Sequence, residues 1–61
     1  MHRIYLVQHG EQWVTVHTDP EVKELFGTNT LPTPYNSSVD RHFVMAELIK
    51  ANPDREVIYR G

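Results

Sequence analysis

A chain of 61 residues that contains no cysteine has no covalent means of holding a small core together. Domains of this size bury only about 60% of the surface their unfolded chains expose, and they usually add a disulfide, a metal or a second subunit to compensate. Disulfides are excluded by composition. A structural zinc of the usual Cys/His kind has no thiolates to use, and His2, His9, His17 and His42 are scattered. None of them stand as His-x-His on a strand or four apart on a helix, so no metal and no cofactor are expected. Self-association is the remaining way to stabilise such a chain, and residues 1 to 61 are read as one small domain.

The composition is that of a folded protein, with hydrophobic residues at 39% and charged residues at 23%. A formal charge of −2 has the wrong sign for the electrostatic attraction that dominates nucleic-acid affinity, so that partner class is disfavoured. The longest apolar run, Phe43 to Ala46, is far short of the roughly 18 residues of a membrane span. No basic segment followed by an apolar one opens the sequence, and a cytoplasmic location is expected.

Residues 3 to 17 alternate with a period of two on both sides of Gly10, which is the pattern of a β-hairpin. A two-residue His9-Gly10 turn would set Ile4 opposite Thr15 and Leu6 opposite Trp13. A three-residue loop with Gly10 left-handed in a bulge would shift that register and sort the side chains better. It places Ile4, Leu6, Val14 and Val16 on an aliphatic face and Tyr5, Val7, Trp13, Thr15 and His17 on an aromatic one.

Thr18-Asp19-Pro20-Glu21 has the form of a capping box, with Thr18 as cap and Pro20 in the first turn. The short helix it opens carries Val22, Leu25 and Phe26 as its apolar stripe and stops at Gly27. Thr28 to Asn36 contains Pro32 and Pro34 and reads as a loop. Leu31, Pro32 and Tyr35 either strap one end of the core or meet a partner. A second helix, capped by Ser37 or Ser38, runs from Val39 to about Ala51. Val39, Phe43, Val44, Met45, Leu48 and Ile49 recur along it at spacings of three and four. Arg55 to Arg60 reads as a third strand, expected beside the first and antiparallel to it. The expected fold class is therefore α+β in the order β-β-α-α-β, a three-stranded, mainly antiparallel sheet with both helices on one face.

Ile4-Tyr5-Leu6-Val7-Gln8-His9-Gly10-Glu11 resembles the first strand and Arg-His-Gly signature of the histidine phosphatase family, in which the histidine is the phosphorylated nucleophile. The resemblance implies His9 as nucleophile and Glu11 as a neighbour of the phosphate site. Gln8 stands where that family has a phosphate-binding arginine, and the likeness ends after these eight residues. A hairpin whose Gly makes the turn accounts for the same residues, so no catalytic residue is assigned. The enzyme or metal-protein alternative is built on His9, Glu11 and His17.

If both helices take one face of the sheet, the other is bare, and large bare apolar surfaces mark interfaces. The expected function is a small protein-interaction module, self-associating as a homodimer through the aromatic sheet face or the sheet edge. Tyr5, Val7, Trp13, Thr15, Leu31, Tyr35 and Tyr59 are the candidate partner-binding residues. Unpaired bases stacking on the same aromatics are the less favoured alternative.

Overall fold

In the computed structural model, which describes residues 1–61, the first two segments pair as a hairpin but through a different turn. Strand β1 (Arg3–His9) and strand β2 (Gln12–His17) are antiparallel, with Ile4 opposite His17, Leu6 opposite Thr15 and His9 opposite Gln12. The connection is thus Gly10-Glu11, with φ +61° at Gly10 and no positive φ at Glu11. Positive φ at the first central residue alone is the type II′ pattern, whose twist matches that of the strands and which takes Gly there. The expected three-residue loop does not form. Its register differs from the observed one by an odd number of positions, and an odd shift turns every side chain of a strand to the other face. Trp13, Thr15 and His17 therefore share a side with Ile4 and Leu6, and Val14 and Val16 share the other with Tyr5 and Val7.

The segment expected to be a loop is also a strand. Strand β3 (Thr30–Asn36) pairs antiparallel with β2 at one edge of a four-stranded sheet. Prolines argue against a central strand, but an edge strand needs ladder bonds on one side only. Leu31, Thr33 and Tyr35 are more buried than Thr30, Pro32 and Pro34, so both prolines lie on the outward alternation. The register slips between Gln12 and Val14. There the Thr33 hydroxyl donates to the Trp13 carbonyl at 2.6 Å and accepts from the Tyr35 N–H at 3.2 Å, supplying bonds where the regular ladder is interrupted.

Helix α1 (Pro20–Phe26) is capped by Asp19 rather than Thr18: the Asp19 carboxylate accepts from the Glu21 N–H at 2.9 Å. Thr18 instead accepts from the Arg3 N–H at 2.8 Å. Gly27, at φ +76°, ends the helix and donates its N–H to the Lys23 carbonyl. Only Val22 of the expected stripe is buried, and Leu25 and Phe26 are 76% and 63% exposed. Helix α2 (Arg41–Ala51) starts two residues after Val39, capped by Asp40 and not by a serine, with the His42 N–H donating to the carboxylate at 3.0 Å.

Strand β4 (Glu56–Tyr59) lies beside β1 as expected but runs parallel to it, with Ile4 opposite Val57 and Leu6 opposite Tyr59. The cause is β3. It runs antiparallel to β2 and hence parallel to β1, α2 carries the chain back, and the strand after α2 repeats the direction of the one before it. The chain order is β-β-α-β-α-β and the sheet order β3-β2-β1-β4, giving a small α+β fold with a four-stranded mixed sheet and two helices. Val44, fully buried on α2, meets Leu6 and Trp13 in the core, with Tyr35, Val39, Met45 and Leu48 packed around them.

Candidate interaction surface

The two sides of the sheet differ in what covers them. On the α2 side, Trp13 is 4% exposed, its indole N–H donates to the Val39 carbonyl at 2.9 Å, and its ring meets Tyr59 edge to face at 6.1 Å. Tyr35 packs edge to face on Phe43 at 5.8 Å. Thr15 is buried, its hydroxyl donating to the Leu31 carbonyl at 3.2 Å. Trp13, Thr15, Leu31, Tyr35 and Tyr59 thus lie on the covered side, and only Tyr5 and Val7 of the seven expected contact residues lie on the other. The single aromatic face expected from the sequence is not formed, and Trp13 has no free surface with which to anchor a partner.

The opposite side is aliphatic. Register makes its members adjacent: Tyr5 faces Val16 and Ile58, Val7 faces Val14, and Val14 faces Pro32. Five of these are half-buried and Pro32 is exposed. Arg60 lies over the Tyr5 ring, 5.4 Å from its centre, and Arg3 pairs with Glu56 at 2.9 Å, so a charged margin borders the patch on its β4 side. An apolar centre with a polar rim is the usual anatomy of a protein interface. Val14 and Val16 are missed from the sequence because the wrong hairpin register turns β2 over, and Ile58 because its neighbour Tyr59 stands as the contact residue of the last strand; Pro32 is named there only as part of a loop. The signal available was the Gly-X order at Gly10-Glu11, which suits a type II′ turn.

Charged and polar side chains gather at the start of α1. Asp19, almost fully buried, accepts from Arg55 Nη2 at 2.7 Å, and His2 lies 3.8 Å from its other oxygen. The Glu21 N–H is the main cause holding the Asp19 carboxyl below its usual range; burial opposes it, and His2 and Arg55 assist. His17 Nε2 lies 2.8 Å from the Thr15 hydroxyl. Because that hydroxyl donates to Leu31, it accepts from Nε2–H, and the neutral ring leaves Nδ1 as a bare acceptor. Nδ1 and Arg55 Nε have no partner. Burial pushes the His17 imidazole below its ordinary value, Arg55 adds to the effect, and Asp19 opposes it. This cluster ties the strand end of β2, the cap of α1 and the approach to β4 together.

His9 and Glu11 flank the exposed hairpin tip, at the opposite end of β2 from His17, so the three do not converge. No group of three or more His, Cys, Asp or Glu side chains is arranged to hold a metal ion. A shallow groove of about 420 Å³ runs between α2 and the outer strand, lined by Arg41, His42, Met45, Ala46, Ile49 and Tyr59. No helix is long and apolar enough to cross a membrane. Neither a protein-family model, a curated protein nor a solved structure matches the chain.

Proposed function

We propose that this protein is a small interaction module that works as a homodimer, using the bare side of its sheet or the sheet edge. The observation that carries this reading is the contiguous patch of Tyr5, Val7, Val14, Val16, Pro32 and Ile58 on the side away from α2. The fold's need for a partner supports it. The buried hydrophobic core is confined to Ile4, Leu6, Trp13, Val22 and Val44, with no disulfide to assist it. The expected result is a mass that rises from monomer to dimer, measured by light scattering after gel filtration over about a hundredfold range of concentration, with a melting temperature that rises alongside. A constant monomer mass with a constant melting temperature refutes the reading.

A further inference from the structure

We infer that the second copy joins at the free edge of β4, antiparallel and centred on Ile58, so that two four-stranded sheets become one. This rests on the self-association proposed above and specifies where it occurs. The two edges of the sheet are unequal. At the β3 edge, Pro32 and Pro34 interrupt the row of donors and protect it against strand addition. The β4 edge contains no proline. The Glu56 and Arg60 N–H groups bond to the His2 and Leu6 carbonyls of β1. By the alternation of a strand, the N–H and C=O groups of Val57 and Tyr59 point outward.

The strand is complementary to itself. In the order Glu56-Val57-Ile58-Tyr59-Arg60, an antiparallel pairing about Ile58 sets Val57 against Tyr59 of the second copy, so both outward-pointing residues meet outward-pointing residues. The same register sets Glu56 against Arg60 of the second copy, twice over. Those are non-hydrogen-bonded pairs, in which cross-strand side chains approach most closely. Centring the pairing on Val57 or Tyr59 instead no longer sets Glu56 against Arg60. On the α2 side, the groove along Met45, Ala46, Ile49 and Tyr59 lies beside this edge, and Ile49 and Tyr59 are half-exposed there. A twofold axis through the paired strands sets groove opposite groove. On the bare side it sets Ile58 beside Ile58 and merges the two apolar patches.

The test uses charge reversal, measured by sedimentation equilibrium of the full chain. Glu56→Arg and Arg60→Glu each place like charges opposite one another twice, and each is expected to weaken self-association about tenfold or more. Mixed in equal amounts, the two variants should recover a heterodimer, because both positive charges then reside on one copy and both negative charges on the other, so that opposite charges face each other. Val57→Pro removes an outward N–H and should give a monomer with its far-UV circular dichroism retained. Val14→Lys, in the middle of the bare side, should leave the dimer intact. A dimer that survives both charge reversals, or is lost with Val14→Lys, overturns the β4 edge while self-association stands. A dimer that survives Val57→Pro overturns it as well, as does a mixture of the charge variants that stays monomeric. A wild-type chain that never dimerises overturns both.

Discussion

Replacing Trp13 separates a core residue from an interface anchor more sharply than any other change. Its side chain is 4% exposed, touches Leu6 and Val44, meets Tyr59 edge to face at 6.1 Å and donates to the Val39 carbonyl at 2.9 Å. Truncating a buried aromatic to alanine costs about 3–5 kcal/mol, and the hydrogen bond adds about 1 kcal/mol. At roughly 0.05–0.15 kcal/mol per residue, a chain of this length has a total stability of about 3–9 kcal/mol. Trp13→Ala is therefore expected to lose most of the stability available to a chain of this size and to melt far below the wild type. Trp13→Phe retains most of the apolar volume, loses the indole N–H, and at a cost of about 2 kcal/mol should lower the melting temperature by roughly 8–16 °C. The assay is a thermal melt followed by far-UV circular dichroism at matched protein concentration. A Trp13→Ala variant that melts within a few degrees of the wild type but no longer dimerises would refute the placement of Trp13 in the core.

Four further outcomes are expected. His17 is held below the ordinary imidazole value of about 6.5, so the unfolded chain binds its proton more readily. The stability it contributes is complete above about pH 6.5 and is lost as pH falls through the folded value; His17→Gln should flatten the fall in melting temperature between about pH 7 and about pH 5. The Asp19 contribution has the same sign but disappears only below the normal carboxylate range, so acid unfolding should come in a separate, lower window of a pH series. Thr33→Val leaves the Trp13 carbonyl without its 2.6 Å donor and should cost about 1–3 kcal/mol by denaturant titration. Gly27→Ala meets no neighbouring atom but must adopt φ +76°, so strain alone should cost about 1–2 kcal/mol in the same titration.

Much of the fold follows from local pattern. Alternation at residues 3 to 17 specifies two strands, Gly27 closes the first helix, and the three-and-four spacing of Val44 and Leu48 directs α2 onto the sheet. The caps are less legible, because Thr18, Asp19, Ser38 and Asp40 are all good capping residues and which one serves depends on where the preceding strand releases the chain. The contact residues read from the sequence depended on a hairpin register, and one odd shift exchanges Trp13 for Val14 on the bare side.

Local pattern and composition specify the short segments, the turn glycine at position 10 and a small core with no disulfide to support it. The tertiary structure alone decided that Thr30 to Asn36 is a strand. Proline forbids a two-sided ladder, and only a place at the sheet edge removes that demand. The direction of β4 was decided in the same way, because a strand following a helix takes its sense from the strand before it, which local propensity did not reveal. Which side is bare was decided last. Burial of Trp13 beneath α2 belongs to the assembled sheet and to no single segment of the chain.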